Sequence, residues 1–184
     1  LNPNPSPCRQ GPVPLDSPPG QSILHTIVSA GPTGADQGAL DAALKAGHPC
    51  GGWCPRGRRS EDGRIPDKYP LTEHESESYQ ARTEANVVDS DGTLVFTPGE
   101  PTGGTRETVD LAGELGRPCL LVDLEHRDAR DPGLHREIWA WARDHHVGVL
   151  NVAGPRASKN PEIRHLVEEV VSGVLALGPE AQSS

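Results

Sequence analysis

Short apolar runs that alternate with amphipathic stretches restrict the fold of this chain more than any other feature. Apolar runs of strand length stand at 23–29, 92–97, 119–123 and 147–151, and a further short strand is predicted near 48–53. Apolar residues recur at helical spacing at 33–46, 76–88, 105–115, 131–144 and 161–177. Strands that alternate with helices form right-handed crossovers and a mostly parallel sheet. The pattern therefore predicts an α/β protein with three layers, α/β/α.

The chain length of 184 residues fits one domain with short tails. Residues 1–22 are rich in Pro, Asn and Ser and show no periodic pattern, which predicts an irregular or disordered N-terminal tail. We expect one ligand-binding domain at 23–178 and a C-terminal tail at 179–184.

The charge balance argues against several classes of partner. A formal net charge of −9 disfavours binding to nucleic acid or to a membrane surface, and aromatic residues, at 3%, are too few for base stacking. The sequence has neither a charged and apolar leader nor an apolar run near ~18 residues, so we expect a cytoplasmic protein. His48, Cys50 and Cys54 lack the paired spacing and fourth ligand of a zinc site, and no metal site is predicted.

Two glycine-rich turns are the first candidates for a binding site. Ser29–Asp36 and Pro98–Thr108 each follow a strand and open a helix. The N-terminus of a helix has unpaired amides and partial positive charge, and glycines let a phosphate approach those amides closely. The first turn fits an anion site and a plain strand-to-helix turn equally well. Two such turns at neighbouring strand ends, however, favour a shared oxyanion pocket.

An arginine-rich loop at 51–62 is the third candidate. Arg56, Arg58 and Arg59 are crowded together in a chain that is acidic overall, and arginine is suited to bidentate phosphate contacts. Glu61 and Asp62 lie next to them. A local cluster of solvated salt bridges therefore remains an equal alternative.

Several longer segments, taken in order, resemble one known family. They are SAGPTGADQGALDAAL, GGWCPRGRRSEDGRIPDKYPL, RTEANVVDSDGTLVF, PTGGTRETVDLA, GRPCLLVDL and LNVAGPRASKNPEI. The sequence resembles the putative molybdenum carrier family, a circularly permuted, YpsA-like branch of the SLOG superfamily, whose members are lysine-decarboxylase-like Rossmann proteins. The resemblance covers roughly 23–177. It implies a Rossmann-like fold, a homo-oligomer and a phosphorylated ligand, namely molybdenum cofactor or a related nucleotide-like molecule.

The resemblance also assigns residues to the site. Ala30 and Pro32 depart from the family pattern in the first turn, where glycine and glutamine are usual. With Arg58 added from the arginine-rich loop, the predicted ligand-binding residues are Gly31, Thr33, Gly34, Asp36, Gly52, Trp53, Arg58, Thr102, Gly103, Gly104, Thr105, Asn151, Gly154 and Arg156.

A related branch of the superfamily offers an enzymatic alternative. The lonely-guy branch hydrolyses nucleoside monophosphates and has a glutamate at the third position after the loop threonine. Here that position is Thr108, and Glu107 lies one residue early, which rotates its side chain by about 100° on a helix. We therefore predict a binding or carrier protein. A phosphoribohydrolase that uses Glu84 or Glu107 is the alternative, and a nucleotide-ligand sensor is a third.

Overall fold

A computed structural model of the chain describes residues 22–178. The predicted tails therefore lie almost wholly outside the described residues. The strands in this range are β1 (Thr26–Val28), β2 (Cys50–Gly51), β3 (Trp53–Cys54), β4 (Arg59–Ser60), β5 (Gly63–Arg64), β6 (Thr72–Glu73), β7 (Gly92–Thr97), β8 (Cys119–Asp123) and β9 (Val149–Ala153). The helices are α1 (Ala35–Lys45), α2 (Tyr79–Val88), α3 (Gly103–Glu114), α4 (Pro132–Asp144) and α5 (Ile163–Leu177).

A five-stranded parallel sheet forms the centre of the fold. Its strand order is β2-β1-β9-β7-β8, so the last strand in the chain lies in the middle of the sheet. Every residue of β7 is buried, as are most residues of β9, which explains their continuous apolar sequence. The predicted α/β class with a mostly parallel sheet is confirmed.

Helices cover both faces of the sheet. Helices α1, α4 and α5 pack together over the main core, which includes Leu94, Phe96, Leu150 and Val152 of the sheet. Helix α2 packs against α3, and α3 packs against β7 and β8. This is the predicted three-layer Rossmann-like arrangement. No helix among residues 22–178 is long and apolar enough to cross a bilayer.

The strand predicted at 48–53 is in fact two strands in different sheets. Strand β2 pairs with β1, whereas β3 pairs with β6 in a separate two-stranded sheet. The strand is interrupted at Gly52, which has φ +130. A Cβ added at Gly52 would lie only 2.8 Å from the Ser29 amide nitrogen. Only glycine tolerates both conditions, so the chain can pass closely over the end of β1.

The long loop that follows has regular structure of its own. It contains a 3₁₀ turn at Arg56–Arg58 and an antiparallel hairpin of β4 and β5. Arg58 is buried, and its guanidinium donates hydrogen bonds to the carbonyl oxygens of Ile65 (3.1 Å), Pro66 (2.8 Å) and Tyr69 (2.9 Å). Arg58 therefore holds the loop together from inside.

Candidate functional site

A cavity of 370 Å³ opens where β1, β7 and β9 end. Such a position, beyond the carboxyl ends of parallel strands, is where open α/β sheets bind ligands. The residues that line it are Ala30, Pro32, Asp36, Tyr79, Arg82, Thr83, Asn86, Thr102, Gly104, Thr105, Glu107, Thr108, Asn151, Ala153, Gly154, Pro155, Arg156, Ser158 and Lys159. The N-terminal part of α3, one side of α2 and the turn after β9 therefore form most of its wall.

The N-terminus of α3 points its positive end at this cavity. Thr102 is the N-cap residue, but its side chain accepts no hydrogen bond from the first turn. The amides of that turn have no capping side chain, and Gly104 and Thr105 line the cavity. Nothing would contact a Cβ added at Gly104, so the approach to the backbone is open there.

A lysine side chain lies beside the same helix terminus. A Cβ added at Gly103 would lie 3.1 Å from Lys159 Nζ. The N-terminus of a helix carries partial positive charge, so the Lys159 ammonium group places a second positive charge beside it. An anion bound between the lysine and the helix would relieve that repulsion.

The most unusual cation of the cavity is Arg82 on α2. Its side chain is buried, with 8% of its surface exposed, and its Nε has no hydrogen-bond partner among the described residues. No carboxylate of the described chain lies within ion-pair distance of it. Burial lowers the pKa of Arg82, and the charge of Asp36 partly opposes that shift.

Arg156 and Tyr79 complete the basic side of the cavity. The Tyr79 ring lies 4.8 Å from the Arg156 guanidinium carbon and 5.5 Å from that of Arg82. Within residues 22–178, Arg156 and Lys159 make no ion pair, whereas most other basic side chains of the same range do. Three of the unpaired cations of this range, Arg82, Arg156 and Lys159, thus line one cavity.

Asp36 is the buried acid of the cavity. Its Oδ2 accepts hydrogen bonds from the Ser29 hydroxyl (2.8 Å) and the Ala30 amide (3.0 Å). Burial raises the pKa of Asp36, while Arg82 and these hydrogen bonds act in the opposite direction. The Asp36 side chain therefore accepts the hydrogen bond of the Ala30 amide, and this amide of the first glycine-rich turn is not free for a ligand anion.

The first glycine-rich turn is closed by the rest of the chain. The amide of Ala35 donates to the Pro155 carbonyl oxygen at 3.1 Å, and an added Cβ at Gly34 would lie 2.7 Å from the Ala157 nitrogen. Gly31 lies against Ile65 and Leu71. The turn fixes α1 against the segment after β9.

The structure brings together only some of the predicted site residues. Those that line the cavity are Asp36, Thr102, Gly104, Thr105, Asn151, Gly154 and Arg156, and those that do not are Gly31, Thr33, Gly34, Gly52, Trp53, Arg58 and Gly103. Trp53 lies outside because its indole donates to Asp89 Oδ2 at 2.7 Å. Arg58 lies outside because loop carbonyls take its donors.

Several lining residues were missed by the sequence reasoning, chiefly Tyr79, Arg82, Ser158 and Lys159. The sequence does contain an indication of the role of Arg82. Arg82 and Asn86 are polar residues four apart on α2, and both are buried. Polar residues at this spacing on the covered face of a helix need partners. Asn86 finds one in the Trp53 backbone, whereas Arg82 does not.

The two glutamates of the enzymatic alternative differ in position. Glu107 lines the cavity, whereas Glu84 is exposed and lies outside it. Thr108, at the position where the related enzymes have glutamate, is buried, and its hydroxyl donates to the Gly104 carbonyl oxygen at 2.9 Å.

One group of residues in the described range has metal-ligating side chains close together. Atoms of Asp123, Glu125 and His126 lie within 4.8 Å of one another after β8, away from the cavity lining. Hydrogen bonds from the Gly99 amide, His126 and the Glu125 amide lower the pKa of Asp123 to about 2. The group is mostly exposed and is held together by its own hydrogen bonds.

Comparison with known proteins supports the fold and identifies the family. The circularly permuted YpsA SLOG family matches residues 27–175. A crystal structure at 1.45 Å resolution, of a protein named putative molybdenum carrier protein from Syntrophus aciditrophicus SB, is 42% identical, with a TM-score of 0.80. The match covers 84% of this chain and 96% of that chain. Comparison with curated proteins gives no significant match.

Proposed function

The chain belongs to the circularly permuted YpsA SLOG family, and we propose that it is a binding or carrier protein for a phosphorylated small molecule. The observation that carries the proposal is Arg82 in the cavity wall, which is buried, makes no ion pair among the described residues and has no hydrogen-bond partner at Nε. A buried charge without an ion pair costs roughly several kcal/mol, and a ligand anion that pairs with it removes that cost.

The other charges of the cavity support an anionic group of the ligand at the same place. The first turn of α3 offers uncapped amides, and Lys159 lies beside that turn. Amides, ammonium and guanidinium groups together form the donor set that proteins use for phosphate. In the proposal, Arg82, Lys159 and the Gly104–Thr105 backbone hold the phosphate, and Arg156 adds charge at the mouth.

The remaining predicted residues divide into contacts and supports. Asn151 and Asp36 line the cavity with polar atoms and are proposed to contact the rest of the ligand. The glycines at 31, 34 and 52, together with Thr33 and Trp53, are proposed to position the wall. Arg58 is assigned to the loop alone.

Two observations bear on the identity of the ligand. The related crystal structure is of a protein named as a molybdenum carrier, and the cavity volume of 370 Å³ lies within the range of about 300–1,000 Å³ typical for small ligands. We propose molybdenum cofactor, a pterin phosphate that carries molybdenum, or a related nucleotide-like compound, bound as cargo.

Mass spectrometry of the small molecules released by heat denaturation tests this proposal, with oxidation to reveal fluorescent pterins. We expect a phosphorylated compound from the wild-type protein and from Arg136→Gln, since Arg136 is exposed and outside the cavity. Arg82→Gln should release none. Equal amounts from all three proteins, or no binding of phosphate compounds to the wild type, would refute the proposal.

The enzymatic alternative has one observation in its favour, because Glu107 lines the cavity. Incubation with AMP should then release adenine, and Glu107→Gln should abolish the release. Glu84→Gln is the matched control, since Glu84 lies outside the cavity and should keep the activity. No adenine from the wild type would remove this alternative.

The remaining expectations stay predictions. A homo-oligomer can be tested by light scattering in solution. A ligand-sensing scaffold would co-purify with protein partners, and a cytoplasmic location would be seen by cell fractionation.

A further inference from the structure

We propose that Thr33 and Ser158 form a second anion subsite at the mouth of the cavity, which the carboxylate of Glu61 occupies. The inference rests on the proposed function and adds to it the class of ligand. The ligand would carry two anionic groups, one at Arg82 and one that replaces Glu61 at the mouth.

Three donors from two distant segments converge on Glu61. The hydroxyl of Thr33 donates to Glu61 Oε1, the amide of Ser158 donates to the same oxygen at 3.2 Å, and the hydroxyl of Ser158 donates to Oε2. Thr33 also accepts a hydrogen bond from the Ala157 amide at 3.3 Å, which fixes its side chain. Together these donors satisfy both oxygens of an oxyanion.

The subsite is continuous with the cavity. Ser158 lines the cavity, and so do Arg156 and Lys159 on either side of it in the sequence. Hydrogen bonds from Ser158 and Thr33, with the nearby charge of Arg156, lower the pKa of Glu61 and keep it ionised. The mouth is therefore already arranged to hold a negative charge next to the interior cations.

The carboxylate itself can leave without disturbing the core. Glu61 is exposed and lies in the two-residue turn between β4 and β5, a hairpin whose own residues are mostly exposed. Its donors, in contrast, belong to the turn before α1 and the turn after β9, which are packed against each other. A ligand oxyanion can take over fixed donors from a side chain on a peripheral hairpin.

This arrangement sets a preference among ligands by their length. A single phosphate occupies the interior site and leaves Glu61 in place. A longer molecule with a second oxyanion, such as a diphosphate or a phosphorylated compound with a terminal oxyanion, must displace Glu61. The charge of Glu61 therefore weakens the binding of the longer molecule and has little effect on the binding of a single phosphate.

Calorimetric titration with phosphate, pyrophosphate and tripolyphosphate in metal-free buffer tests the inference. For Glu61→Gln we expect at least one of the two longer anions to bind about tenfold more tightly, with phosphate affinity changed less than twofold. Asp62→Asn is the matched control because it removes the same charge one residue away, and it should shift each anion less than about threefold, with only a gradual rise with ligand charge. Adding Thr33→Val and Ser158→Ala to Glu61→Gln should abolish the gain.

The outcomes separate this inference from the proposed function. If phosphate binds and Arg82→Gln abolishes that binding, but Glu61→Gln favours no longer anion, the second subsite is refuted alone. If phosphate does not bind at all, the proposed function fails as well. A gain with Asp62→Asn equal to that with Glu61→Gln would show a general charge effect and would also refute the subsite.

Discussion

Replacement of Gly34 by alanine should destabilise the fold, because Gly34 packs against the protein backbone and does not line the cavity. Gly34 has φ 91 and ψ −132, a region that is open mainly to glycine and costs other residues about 1–3 kcal/mol. The added Cβ would also meet the backbone at Pro155 and Ala157, and such overpacking costs about 1–3 kcal/mol more. A total of about 4 kcal/mol should lower Tm by roughly 8–16 °C for a chain of this size.

Two further glycine substitutions make the test specific. Gly104 and Gly113 both lie in α3 with ordinary φ, and nothing would contact an added Cβ at either position. Gly113→Ala should stabilise the helix by about 0.5–1 kcal/mol and leave phosphate affinity unchanged. Gly104→Ala should be as stable as Gly113→Ala. It should bind phosphate about tenfold more weakly than the wild type, since the alanine methyl group covers amides that a glycine leaves open to phosphate.

Thermal unfolding followed by circular dichroism and calorimetric titration with phosphate measure both quantities for the three variants. The reasoning would be wrong if Gly34→Ala kept the wild-type Tm but lost phosphate, because Gly34 would then be a ligand contact. Wild-type phosphate affinity in Gly104→Ala would instead remove the N-terminus of α3 as the phosphate site.

Three other variants test the separate roles assigned above. Arg58→Met should destabilise the protein by about 2–4 kcal/mol, since it leaves buried carbonyl oxygens without donors, but the phosphate affinity of the folded protein should change less than twofold. Arg56→Met is the control, because Arg56 is exposed. A loss of phosphate affinity in Arg58→Met would contradict the structural role assigned to Arg58. Lys159→Gln should weaken phosphate binding about three- to tenfold and reduce its dependence on salt, as measured by titration at several ionic strengths; an unchanged affinity would exclude the lysine. Burial raises the pKa of Asp36 above 3.8, so the stability contributed by its protonated form is fully present below pH 3.8 and is lost as pH rises through the folded-state pKa. Urea unfolding at a series of pH values should show that Asp36→Asn removes this loss of stability. An unchanged pH profile in Asp36→Asn would contradict the prediction.

The sequence was sufficient for the layers of the fold because hydrophobic periodicity is a local property. The strands at Gly92–Thr97 and Cys119–Asp123 lie where the apolar runs predicted them. The break at Gly52 was not predictable in the same way, since it depends on the close approach of Ser29, which lies far away in the sequence. Local pattern says where strands form and says little about which neighbours they meet.

The candidate site was predictable only in part for a similar reason. The two glycine-rich turns look alike in sequence, but Pro155 and Asp36 close the first, whereas nothing in the described chain caps the second. Arginine-rich sequence drew attention to Arg58, although its donors are taken by carbonyl groups of its own loop. Whether a polar group is free for a ligand depends on which tertiary partners it finds, and one sequence does not supply that information.

The charge of the whole chain and the charge of its cavity have opposite signs, and under the proposed function this contrast would favour small anions over long polyanions. A net charge of −9 repels long polyanions from the surface as a whole, and this repulsion acts over a Debye length of about 8 Å in physiological salt. The unpaired Arg82, Arg156 and Lys159 line one cavity at the end of the sheet, where a compact phosphate compound can reach them together. A nucleic-acid strand would have to bring many phosphates near acidic surface for each one that reaches the cavity. The same number of cations spread over the surface would lose this selectivity, because each would be screened by solvent or paired with a neighbouring carboxylate.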